Sequence, residues 1–279
     1  MKLKFPLSLV FSFAFLLFSF SSFAGGPWAI GKKKGFLQAG FTSLSYDKAY
    51  NGEGKSNSIG TEITDNTFQI YSEYGLTDKF TLKTIIPYKF LKSEILSSSQ
   101  SVNGLGNLII GGKYLLVDKK LKLSGGVDIS LPTAQESIPS GLRTGYDALG
   151  VTPYFSLGSG KENLYGFVEG GVNLNSNEFS SNFVANLEVG YAPVKNVWIA
   201  GFSDVRQSFE NGDFQNTDNL TFLTSRLYVN DQSYAVGGFK IAYAHKDKFG
   251  VNFSRVFVIA SAENVAASLP FNVGVFLKW

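Results

Sequence analysis

After Ala24 no apolar stretch of this chain approaches the length of a membrane helix, yet segments of about ten residues in which apolar and polar side chains alternate recur to its last residue. Successive side chains of a strand point to opposite faces, so each segment has one face for lipid and one for a polar interior. Residues 121–131 show it most clearly: Leu121, Leu123, Val127, Ile129 and Leu131 are apolar, with Lys122, Ser124, Asp128 and Ser130 between them. A slip of one residue would exchange the two faces, so the pattern assigns each residue a side.

The same rule turns Phe68, Ile70, Tyr74 and Leu76 outward with Gln69 and Glu73 inward, and Phe80, Leu82, Ile86, Tyr88 and Phe90 outward with Lys83 and Lys89 inward. Residues 108–116 face Lys113 inward, and 151–157 face Thr152, Tyr154 and Ser156 inward. Residues 164–174 and 183–191 place Glu169, Asn173, Asn186 and Glu188 inside. Asp204 and Arg206 share one face of 197–206, and Lys240 points inward from 235–243. Residues 249–259 alternate cleanly until Arg255, where the pattern slips and predicts a β-bulge. The first strand, about 36–46, has ambiguous facing. The lumen-facing candidates are therefore Glu73, Lys83, Lys89, Lys113, Lys122, Asp128, Glu169, Glu188, Asp204, Arg206 and Lys240. Charges of both signs can pair across a lumen or line a water path, and their mixture argues against a strongly ion-selective pore.

Connections alternate in length. Short ones fall at 76–79, 117–120, 158–163, 192–196 and 245–248, rich in turn formers or charge; long ones are expected near 47–66, 92–103, 132–147 and 208–231. Bacterial barrels have short periplasmic turns, long extracellular loops and periplasmic termini, a parity that twelve strands satisfy. Ten or fourteen remain open, because 220–229 reads as an extra strand or a folded loop. The expectation is an all-β, closed antiparallel transmembrane barrel over residues 25–279.

The leader supports this compartment. Lys2 and Lys4, the apolar run 5–20 and Ser22-Phe23-Ala24 form a cleavable signal peptide over residues 1–24, and no Cys near Ala24 could carry a lipid anchor. Its removal leaves 23 Lys+Arg against 22 Asp+Glu, so no basic nucleic-acid footprint remains. A mean hydropathy of +0.05 is too low for a helical transporter, and 15% aromatics with 30 Gly suit strands that divide between lipid and lumen. There is no Cys and one His, so the expectation is no metal and no cofactor.

The last strand alternates Phe271, Val273, Val275, Leu277 and Trp279 with Asn272, Gly274, Phe276 and Lys278. A terminal strand of this kind is expected both to close the barrel at the membrane interface and to serve as the tag read by the barrel assembly machinery. Outer-membrane lipid and that machinery are the expected partners, beside an unspecified small solute.

The hairpin Tyr71-Ser72-Glu73-Tyr74-Gly75-Leu76-Thr77-Asp78-Lys79-Phe80-Thr81-Leu82, with residues 31–36 upstream, 104–114 and 189–198 downstream, resembles outer-membrane β-barrel transporters of a phenol-degradation-pathway-like family. The resemblance implies transport of hydrophobic or aromatic small molecules. The family often has Asp where this chain has Asn107, which removes one lumenal charge.

Three functions compete. The first is a channel or uptake protein for small molecules, hydrophobic or aromatic ones among them. The second is a structural or surface-binding barrel with a plugged lumen. The third is an outer-membrane hydrolase, which needs a nucleophile activated by an oriented His; His245 lies in a charged turn beside Lys246, Asp247 and Lys248, so no enzyme is expected. Gly54-Lys55-Ser56 and Gly104-Leu105-Gly106 lack the remaining glycines of nucleotide-binding loops. Loop aromatics Tyr46, Tyr50, Phe179, Phe183, Phe209 and Phe214 are expected to anchor the rim or to grip an apolar ligand.

Overall fold

A computed structural model describes residues 25–95, 98–137, 141–213 and 227–279. Residues 1–24 of the expected signal peptide, Phe214 and residues 220–226 of the suggested extra strand lie outside them. The strands are β1 (Gly35–Tyr50), β2 (Ser56–Gly75), β3 (Phe80–Ile95), β4 (Ser98–Leu105), β5 (Leu108–Asp118), β6 (Lys122–Leu131), the short β7 (Glu136–Ser137) and β8 (Leu142–Arg143), β9 (Gly150–Lys161), β10 (Leu164–Asn175), β11 (Asn182–Val194), β12 (Val197–Ser208), β13 (Ser233–His245), β14 (Phe249–Glu263) and β15 (Phe271–Lys278).

Each long strand pairs antiparallel with its neighbours, and β15 returns to β1 through Phe36↔Lys278 to Ser43↔Phe271, which closes the sheet. β4 and β5 form one stave interrupted at Gly106-Asn107: β3 pairs with β5 over Phe80–Ile85 and with β4 from Tyr88 onward. The result is a twelve-stave barrel. Closure matters because an open edge would leave unpaired N–H and C=O groups in lipid. Outward apolar residues remain uncovered, Phe155 at 64% exposure and Val275 at 57%, in a belt that runs round the wall and that only lipid could cover favourably.

Two of the four expected long loops are strands. β1 and β2 stay paired through Lys48↔Ser58 to Tyr50↔Ser56, and β3 and β4 stay paired as far as Ile95↔Ser98. The alternation persists there with its sense reversed. Tyr46, Ile63 and Leu91 face inward and are buried, while Asp47, Glu62 and Lys92 face water. Above the lipid belt the outside is polar and the inside is packed, so residues 47–50, 56–66, 92–95 and 98–103 of these polar stretches are strand, not loop. The described residues of 132–147 lie between β6 and β9 and carry the short antiparallel pair β7–β8. In 208–231, β12 ends at Ser208, and residues 227–231 are not strand.

The irregularity expected at Arg255 falls just beyond it. The register of β13 with β14 shifts between Gly237 and Gly238 and again between Ala235 and Val236, and consecutive Phe257 and Val258 are both exposed. In β1, Leu37 and Phe41 face outward, whereas Phe36 and Tyr46 are buried inside.

Candidate functional site: the lumen

The lumen is filled at its short-turn end by residues that precede β1. Residues 25–31 enter the bore, where the Lys113 ammonium donates to the Gly26 carbonyl at 2.9 Å and the Ser124 hydroxyl to the Pro27 carbonyl at 2.5 Å. Trp28 packs edge-on against Tyr165 and Phe167, with ring centroids 6.0 and 5.8 Å away. The Ile30 N–H donates to Thr81 Oγ1 at 3.1 Å, and Ile30 packs against the cluster of Phe36, Ala242, Ala244 and Phe276. A Cβ on Gly75 would lie 1.8 Å from the Gly31 carbonyl oxygen, so the wall itself is cut back to admit this segment.

Above the plug the inward charges meet in pairs. Lys113 lies 3.5 Å from Glu73, which also accepts from the Tyr71 hydroxyl at 2.7 Å. Lys240 reaches Glu188 at 2.6 Å, and the Tyr165 hydroxyl donates to the same carboxylate at 2.5 Å. Lys83 pairs with Asp128 at 2.5 Å, its ammonium 5.1 Å from the Tyr154 ring centre. Lys89 pairs with Asp65 at 2.7 Å and donates to Thr67 at 2.9 Å. Asp65 lies in the polar stretch 47–66 that reads as loop in the sequence, yet it is a residue of β2. Lys122 sits lower, at the rim, beside Asp118.

The remaining candidates border one cavity of about 540 Å³. On one side stand Asp128, Glu169, Asp204 and Arg206; Asn186 donates to Asp204. On the other stand Leu44, Val236, Val256, Ile259, Ala266 and Pro270. This apolar side coincides with a seam in the wall. The register of β14 with β15 ends at Arg255↔Phe271, followed by one bond from the Val256 N–H to the Pro270 carbonyl. Beyond it the chain at 264–270 leans on β1 through an Ala49↔Ala266 bridge and the Ser268 hydroxyl, which donates to the Ser45 carbonyl.

The long-loop end carries a roof. Asn107, in the break between β4 and β5, donates to the Leu131 and Tyr146 carbonyls at 2.9 and 2.7 Å and accepts the Tyr146 N–H at 2.7 Å. It thus pins the 132–149 loop over the bore, which explains why an amide serves here. Tyr146 packs on Phe179 and Tyr228 and hydrogen-bonds Gln232 and Arg206. Burial raises the Tyr228 phenol well above its ordinary value, and Asp65 and Tyr146 add to the effect. Of the loop aromatics, Tyr46 and Phe179 are buried in this roof, whereas Phe183 and Phe209 are exposed. His245 stands at the end of β13, 3.4 Å from the Tyr243 hydroxyl and against the Phe249 ring.

No curated protein matches the sequence. Among solved structures, an outer membrane channel from Pseudomonas putida F1 superposes with a TM-score of 0.69 at 15% identity, over 93% of this chain and 100% of that one. The beta domain of the Bordetella autotransporter BrkA gives 0.52 at 12% identity over 88% and 99%. The KdgM porin in complex with disordered oligogalacturonate gives 0.50 at 7% identity over 88% and 99%. At these identities the likeness is one of fold. Fold and lipid-facing belt together are those of outer-membrane β-barrels. A family model matches residues 35–266, and the chain belongs to the family described as "Putative MetA-pathway of phenol degradation".

Proposed function

We propose that the protein is an outer-membrane channel for the uptake of small hydrophobic molecules, with its long-loop end outside the cell and both termini in the periplasm after residues 1–24 are removed. One observation carries this reading: the cavity lies between a plug and a roof, and its apolar side borders the seam between β14 and residues 264–270. An apolar solute there is offered a path along the wall, whereas a hydrated solute would have to pass Trp28 and the Lys–carboxylate pairs. The family's link to phenol degradation supports a small aromatic substrate, and the fold shared with the Pseudomonas putida channel agrees with a barrel that conducts. The position of His245 on a short turn at the periplasmic end, away from the cavity, favours transport over hydrolysis.

The alternating residues Phe271, Val273, Val275, Leu277 and Trp279 serve in this reading as the tag for the barrel assembly machinery. A plugged structural barrel is the second reading, favoured by the filled short-turn end. Entry of the apolar dye N-phenyl-naphthylamine into cells that express the protein, compared with liposome swelling in arabinose, separates the two. Faster dye entry with little swelling is expected; no effect on either would leave the structural barrel.

A further inference from the structure

The two ends of the barrel carry opposite charge. Among the described residues the short-turn end exposes ten lysines against Asp78, Asp118, Glu162 and Asp247. Every short turn contributes, through Lys79, Lys119 and Lys120, Lys161, Lys195, and Lys246 with Lys248, and Lys32, Lys33 and Lys34 precede β1. The long-loop end exposes nine carboxylates, Asp47, Glu53 and Glu62 among them, against Lys48, Lys55 and Lys92. The whole sequence is nearly neutral, so this separation is spatial and not compositional.

The lysines stand at a defined depth. Just inside them on the outer wall lie exposed Tyr74, Tyr114, Tyr191, Tyr243, Phe249 and Trp279. Aromatic residues of this kind sit at the headgroup level of a bilayer. Tyr191 precedes Lys195 by four residues and Tyr243 precedes Lys246 by three. At about 3.3 Å per residue the ammonium groups of Lys195 and Lys246 fall within reach of the phosphates of lipids whose headgroups lie level with these rings.

We propose that this lysine collar is a binding surface for the phosphodiester headgroups of anionic glycerophospholipids in the leaflet that surrounds the short-turn end. The inference rests on the reading that the barrel spans a membrane and is independent of what it transports. The collar holds the barrel at a fixed depth and sets which end faces the phospholipid leaflet.

The test uses the full mature barrel in phosphatidylcholine vesicles with spin-labelled phosphatidylglycerol or spin-labelled phosphatidylcholine as probe. The motionally restricted fraction in the spectrum should show phosphatidylglycerol preferred about fivefold, a preference that falls in 1 M salt. The combined variant Lys79→Gln, Lys161→Gln, Lys195→Gln, Lys248→Gln should lose most of it while keeping the heat-modifiable gel shift of a folded barrel. Should that variant fail to fold, each single substitution is measured, and the preference should drop stepwise. Equal association of both lipids, or a preference unchanged in folded variants, overturns the proposal. Capture of an acidic periplasmic protein by the collar without lipid selectivity overturns it too. Loss of dye uptake with lipid selectivity intact would count only against the transport reading.

Discussion

Lys113 joins Glu73 in the lumen and donates to the Gly26 carbonyl, so one buried ammonium ties the N-terminal plug to the barrel wall. Both side chains are more than nine-tenths withdrawn from water. Lys113→Ala removes the cation and leaves the carboxylate with only the Tyr71 hydroxyl. The variant should lose about 3 kcal/mol of stability, read as a lower midpoint of urea unfolding in the heat-modifiability assay. The plug should also loosen, and planar-bilayer recordings should show higher conductance. Unchanged conductance with the expected loss of stability would mean that Trp28 and Pro27 hold the segment without the lysine.

The roof depends on an amide for a different reason. Asn107 uses both hydrogen-bonding ends of its side chain, as donor to two carbonyls and acceptor of one N–H. Asn107→Asp keeps the acceptor and sets a second anionic oxygen against the Leu131 and Tyr146 carbonyls. About 2 kcal/mol of stability should be lost at neutral pH, and protease should cut within 132–149 sooner than in the parent. Equal protease resistance would show that Thr133 and Thr144, which also bond to this break, are sufficient.

These two sites differ in how far the sequence reveals them. Lys113 is legible as an inward residue because it interrupts an apolar row at the right parity, and so are Lys83, Asp128, Glu188 and Lys240. Their pairing is not legible, since cross-barrel neighbours depend on strand register. Asp65 escapes for another reason: above the lipid belt the alternation reverses, and a polar stretch with inward Tyr46, Ile63 and Leu91 reads as loop. The plug is hidden altogether, because Pro27 and Trp28 lie before the first strand with no period to mark a face. Arg255 is the opposite case, where a break in alternation marks a bulge that lies two residues further on, at Phe257.

The seam can be closed chemically because the chain has no cysteine of its own. Cysteines introduced at Ile259 and Ala266, which border the cavity from the two sides of the seam, can be joined by a short bifunctional maleimide. Cross-linking should abolish entry of the apolar dye and leave the small ion conductance largely unaltered. The same reagent on either single-cysteine variant is the control. Dye entry that persists after complete cross-linking would exclude the seam as the route and direct attention to the roof.

Barrel closure depends on a glycine opposite the last residue. Gly35 and Trp279 exchange backbone bonds, the Gly35 N–H donating to Trp279 at 3.0 Å and the Trp279 N–H to Gly35 at 3.1 Å. A Cβ on Gly35 would meet the indole at 2.0 Å, far inside contact distance. Gly35→Ala must therefore turn the indole away or part the strands, at a cost of about 1–3 kcal/mol for overpacking. Deleting Trp279 removes the same two bonds and the aromatic anchor without introducing a clash. If Trp279 acts mainly in closure, both variants should lower the temperature at which the folded band is lost, by similar amounts, whether folded in vivo or in detergent. If it acts mainly as the assembly tag, the deletion should fail in cells yet refold in detergent, while Gly35→Ala still inserts. Comparing the folded fraction of the two variants in outer membranes with that after refolding from urea separates the two roles.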